Sequence, residues 1–108
     1  MVLNFADSGT VTTTASEANI FSQVQLDALH ALMVHLDAMT GSETFVIKIY
    51  VWDTADATER QFQVSTFSGV QASPSVLFDF QPSKRYRATI QRTAGTDRQI
   101  SYERYTVV

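Results

Sequence analysis

From residue 43 onward the chain alternates apolar and polar residues with a period of two, a pattern that dictates strands. In Glu43–Trp52, Phe45, Ile47, Ile49 and Val51 share one face, and Val46, Lys48, Tyr50 and Trp52 share the other. β-Branched and aromatic side chains fill the run, as a pleated surface prefers. Asp53–Thr58 is a polar turn. Arg60–Ser68 alternates again, with Phe62 and Val64 set against Gln61, Gln63 and Ser65, so the two runs predict a hairpin.

Gly69 ends that run, and Pro74 pushes Ser73 toward extended geometry. Val76–Phe80 reads as a short strand closed by Pro82-Ser83-Lys84. Tyr86, Ala88 and Ile90 alternate with Arg87, Thr89 and Gln91; after the turn Ala94–Asp97, Ile100, Tyr102 and Arg104 alternate with Ser101, Glu103 and Tyr105. Turn signals arrive about every 10–12 residues, the spacing of an antiparallel sandwich or barrel.

The first third is less plain. Thr10–Ala15 and Ala18–Gln23 read as strands. Leu26–Met39 is open to two readings. Leu26, Leu29, Met33, Leu36 and Met39 have helical spacing, and Leu, Ala and Met suit a helix. Yet Leu32, Val34 and Leu36 alternate with Met33, His35 and Asp37, and a strand over 29–37 would complete about eight.

At 108 residues the chain suits one domain. Residues 1–8 are set apart as an N-terminal arm and 9–108 as a single β-sandwich domain. Val2, Leu3 and Phe5 make the arm apolar, so it is expected to dock, on its own domain or on a neighbour. Met1–Asp7 has no basic n-region, so no signal peptide is expected. No apolar stretch approaches the ~20 residues of a membrane helix. The chain contains no cysteine, which excludes disulfides, thiolate chemistry and cysteine-ligated metal.

The net charge of −3 argues against a nucleic-acid partner. Its distribution is uneven. Residues 1–59 carry one base, Lys48, against eight acids; residues 60–108 carry seven bases against Asp79, Asp97 and Glu103. Either the fold interleaves the two halves, or opposite-sign surfaces of neighbouring molecules meet.

The sequence assigns no catalytic, cofactor-binding or metal-ligating residue, and the chain is expected not to be an enzyme. His30 and His35 stand five apart, which on a strand puts them on opposite faces. Asp53, Asp56 and Glu59 lack the glycine and spacing of a calcium loop. Asp27 and Asp37 have no supporting residues for glycosidase chemistry. Tyr50 and Trp52 share a face, as residues that stack on sugar rings or fill interface pockets do. Lys84-Arg85-Tyr86-Arg87 is a short basic series suited to an acidic protein partner. The interface candidates are therefore Val2, Leu3, Phe5, Tyr50, Trp52, Arg85 and Arg87.

The stretch Asn19–Tyr105 resembles a type of small structural protein encoded among the virion genes of tailed phages. The resemblance rests on Ile20-Phe21, Val34–Glu43, Val46–Val51, Phe67–Pro74, Gln91–Thr96 and Tyr102-Glu103. These are strand and turn signatures, silent on chemistry. The resemblance implies an all-β, eight-stranded antiparallel jelly-roll-like sandwich, with 34–39 a strand entering a tight turn. A short helical turn near 26–30 stays open. It further implies a capsid decoration or cement protein on the virion surface, made in the host cytoplasm. Its partner would be the major capsid protein, and the chain itself a homo-oligomer, a trimer by preference. No membrane partner is implied. A tail or neck location and a carbohydrate-binding sandwich using Tyr50 and Trp52 are the alternatives.

Overall fold

The chain pairs with itself like one long hairpin folded about its middle. Its strands are β1 (Leu3–Thr12), β2 (Ala18–Val24), β3 (Leu29–His35), β4 (Thr44–Trp52), β5 (Glu59–Ser68), β6 (Ser75–Phe80), β7 (Arg85–Ala94) and β8 (Gln99–Val107). β1 lies antiparallel to β8, β2 to β7, β3 to β6 and β4 to β5. Rolling that hairpin up also beds β8 against β3 and β7 against β4. Two four-stranded antiparallel sheets result, ordered β1-β8-β3-β6 and β2-β7-β4-β5, which is the jelly-roll wrapping. This structure, a computed structural model, describes residues 3–24, 29–52, 58–80 and 85–107.

The core fills the space between the sheets with the inward half of each alternation. Phe45, Ile47 and Ile49 of β4 are fully enclosed and face Leu32 and Val34 of β3, with Tyr86, Ala88 and Ile90 of β7 and Ile100 of β8 completing the layer. Arg104 follows the same inward set of β8 and is buried, donating from Nη1 to the Tyr86 hydroxyl at 3.4 Å.

Three expectations meet the structure here. The helical reading of 26–39 gives way to a strand at Leu29–His35. There β3 sits between β6 and β8, and period-two burial of Leu32, Val34 and Leu36 outweighs the helix propensity of Leu and Met. Of the helical turn near 26–30, residues 29 and 30 are strand, and 26–28 lie outside the described residues. The arm is, from Leu3, part of β1: Leu3 opposes Val107 and Ser8 opposes Glu103.

β5 is the third case, and it is turned inside out. The register sets Phe45 against Phe67, Ile47 against Ser65 and Ile49 against Gln63, so Gln63, Ser65 and Phe67 point inward. A bulge falls between Ile49 and Tyr50 opposite Phe62. Phe62 and Val64, the apolar half of the alternation, are 56% and 44% exposed.

Candidate functional site

The loops β1–β2, β3–β4, β5–β6 and β7–β8 gather at one end of the sandwich and are tied together by hydrogen bonds. Thr13 N donates to Arg98 O, Arg92 N to Thr14 O, Leu36 N to Pro74 O and Gly69 N to Glu43 O, all at 2.8–2.9 Å. Glu43 is the hub. Its carboxylate is completely enclosed and accepts from Thr40 N at 2.7 Å, from Thr40 Oγ1 at 2.8 Å, from Ser42 Oγ at 2.6 Å and from Arg98 Nε at 3.1 Å. The Ser42 hydroxyl and the Thr40 amide, with Arg98 beyond them, outweigh burial and pull its pKa down to about 2. Gly95, at φ +83°, presses the β7–β8 loop onto this turn: a Cβ there would lie 2.5 Å from Ser42 O. Three of the stretches that carry the resemblance, 34–43, 67–74 and 91–96, therefore meet around Glu43. They build a loop end knitted by hydrogen bonds.

A second network covers the outer face of the β2-β7-β4-β5 sheet. Arg87 grips Glu59 with two parallel bonds of 3.0 Å, donates to Asn19 Oδ1 at 3.0 Å, and lays its guanidinium 4.5 Å from the centre of the Tyr50 ring. The Tyr50 hydroxyl donates to Glu17 at 2.6 Å, and the Thr89 hydroxyl donates to the same carboxylate. Burial, then the bond to Glu17, pushes the Tyr50 pKa up to about 12. For Glu17 burial acts upward, but the Thr89 and Tyr50 bonds and the nearby Lys48 and Arg87 hold its pKa below the usual carboxylate value.

On the outer face of the β1-β8-β3-β6 sheet, His35 links three strands. Its Nδ1 lies 2.8 Å from Ser75 Oγ and its Nε2 lies 2.8 Å from Glu103 Oε2. Around this polar group lie apolar residues, with Glu103 itself opposite Met33. Phe5 opposes Tyr105, which opposes Ala31, and Met33 opposes Leu77 in the neighbouring row. Phe5 is 62% exposed and meets Tyr105 edge-on, at 6.1 Å between ring centres and 77° between planes. Leu77 is 49% exposed.

The interface candidates thus divide between two faces. Phe5 stands exposed on one sheet, and Leu3 shares its strand; Val2 lies outside the described residues. Tyr50 and Arg87 meet each other on the second sheet, with one Tyr50 ring face taken by the guanidinium, so Tyr50 does not offer that face to a sugar. Trp52 is half-buried at the end of β4 opposite Glu59, and Arg85 opens β7 opposite Val24. Asp27, Asp53 and Asp56 lie outside the described residues, while Asp37 is exposed in the β3–β4 turn. Among the described residues no three of His, Asp and Glu gather where they could hold a metal ion.

The charge halves interleave: Glu43 with Arg98 and Glu59 with Arg87 each join an acid of the first half to a base of the second. Sequence reasoning missed Glu43 and Glu17 as organising groups; Glu43 follows Thr40-Gly41-Ser42, whose hydroxyls supply its donors, whereas the donors to Glu17 come from Tyr50 and Thr89, far away in sequence.

Strand order and knitted loops define an all-β, eight-stranded jelly-roll sandwich. No family model matches the chain, and no curated protein matches it. Among solved structures, a chain in the structure of infectious bursal disease virus, Gx strain, superposes with a TM-score of 0.49 at 12% identity, covering 97% of this chain and 30% of that one. This chain spans under a third of that length, and a likeness of this size carries no inference about function.

Proposed function

We propose that this chain is a structural component of a tailed-phage virion, a decoration or cement protein that binds the shell formed by the major capsid protein and stabilises it. The single observation that carries the reading is the group of apolar residues on the outer face of the β1 sheet, where Phe5 and Leu77 are exposed and Tyr105 and Met33 lie between them. Exposed apolar side chains on both edge strands of one sheet face, with Tyr105 and Met33 partly exposed between them, mark a contact surface. The fold beneath it supplies rigidity, because the hydrogen-bonded loop end and the Glu43–Arg98 pair tie the β3–β4 turn to the β7–β8 loop. Many copies on a repeating lattice turn a modest contact into strong retention, and a ligand of the assembled shell stabilises that state by mass action. The sequence resemblance names the setting.

The test is co-sedimentation with heads of a tailed phage that carries the gene, stripped of this chain. Saturable binding at a fixed ratio to the shell protein is the expected result, and Phe5→Ser with Leu77→Ser should weaken it while leaving the circular dichroism unchanged. Binding to tails alone would move the protein to the tail or neck. Binding to neither would remove the virion reading.

A further inference from the structure

From Gln61 through Phe78 the chain contains no Asp, Glu, Lys, Arg or His. That uncharged run builds most of β5, the β5–β6 loop and the first part of β6, which are the edge strands of their two sheets. Edge strands in isolated proteins are normally protected by lysine, proline or inward-pointing charge, because their outer backbone groups will otherwise pair with another chain. β5 has no proline, its charges, Glu59 and Arg60, are confined to its first two residues, and its bulge at Phe62 leaves Gln63–Ser68 in regular register. It also faces two of its three apolar residues outward, with Phe62 and Val64 exposed and Gln63 and Ser65 turned in. A one-residue slip would exchange the two faces. The observed register keeps Phe67 on Phe45 and leaves Val64 outside.

We infer that β5 is a self-association edge, on which a second copy of this chain docks its own β5 antiparallel across a two-fold axis. The occupant follows from the chemistry of the strand. An antiparallel two-fold contact brings the residue at its centre against its own copy, so a charge there would oppose itself and a neutral residue does not. Gln63, Ser65, Thr66 and Ser68 each both donate and accept, so the same surface on two copies is complementary to itself. Val64 and Thr66 share the outer face and would meet their counterparts there. A pairing centred on Val64, Ser65 or Thr66 sets Arg60 of each copy toward uncharged residues of the other. Depletion of charge with apolar side chains at the centre is the composition of an interface core. Two four-stranded sheets would become one of eight strands. The arrangement departs from the trimer that the resemblance implies, because a strand that complements itself closes at two copies. It uses the side of the sandwich away from β1 and does not depend on the shell reading.

The experiment uses the whole chain in solution. Sedimentation should give twice the 12.0 kDa chain mass. Val64→Lys should weaken the dimer by about ten-fold or more, with circular dichroism unchanged, whereas Thr12→Lys on exposed β1 should leave it intact. The chain has no cysteine of its own, so V64C/T66C gives a clean cross-link. The two positions cover registers centred on residues 64, 65 and 66, and oxidation should trap a covalent dimer that T10C/T12C does not form. A monomer at high concentration, a trimer, or an oligomer that survives Val64→Lys and escapes the cross-link would each overturn the proposal. Loss of the dimer with shell binding retained would remove this inference and leave the other standing.

Discussion

The Arg98 guanidinium donates to a Glu43 carboxylate that has no exposure of its own, Nε lying 3.1 Å from Oε1, while Arg98 itself is one-third exposed. The pair joins the β7–β8 connection to the β3–β4 turn, the two segments that Gly95 also brings into contact. One end of the sandwich is therefore held by an ion pair inside a shell of hydroxyl and amide donors.

Acid should loosen that end. Glu43 ionises at about 2 in the folded chain against 4.5 for an ordinary glutamate. A carboxyl depressed by folding contributes stability that is complete above the unfolded value and is lost as pH falls through the folded one. The thermal midpoint should therefore decline between about pH 4.5 and 2. Glu43→Gln should lower the midpoint at pH 7 and flatten the decline; an unchanged slope would show that other carboxyls govern it.

Gly95→Ala should destabilise the fold by about 2 kcal/mol or more. The left-handed φ disfavours any Cβ, and the backbone of Ser42 and Glu43 occupies the space that a Cβ needs. Gly41→Ala is the control, since nothing lies within 4 Å of a Cβ there. Denaturant melts of the two variants should separate clearly.

Removal of residues 1–8 should cost stability, although read as an arm the segment would be dispensable. It takes away the Leu3–Ser8 half of β1, whose pairing with β8 runs from Val107 to Glu103. A fall in thermal midpoint of roughly 10 °C is expected. A truncated chain that melts like the full one would mean that β1 adds nothing before Gly9.

The inside-out register of β5 predicts an asymmetry between neighbours on one hairpin. Phe45→Ala, at a fully enclosed site, should cost about 3–5 kcal/mol. Val64→Ser, at an exposed site on the strand alongside, should change the stability of the dilute chain by about 0.5 kcal/mol or less. Equal costs would place Val64 in the core and refute the register.

Most strands were legible in the sequence because period-two burial leaves a local trace: Phe45, Ile47 and Ile49, then Tyr86, Ala88 and Ile90, announce their own inward face. The absence of cysteine and the uncharged run Gln61–Phe78 are likewise properties of sequence alone. Tertiary structure decided what depends on distant partners. β3 became a strand because β6 and β8 supply the hydrogen bonds on both its edges. Gln63 and Ser65 turned inward, and Val64 outward, because the pairing of Phe67 with Phe45 sets the register of the whole strand. Glu43 became the hub only when the fold brought Arg98, fifty-five residues away, to its carboxylate. Local alternation says that a strand has two faces, but the neighbours across the sheet choose which one is buried.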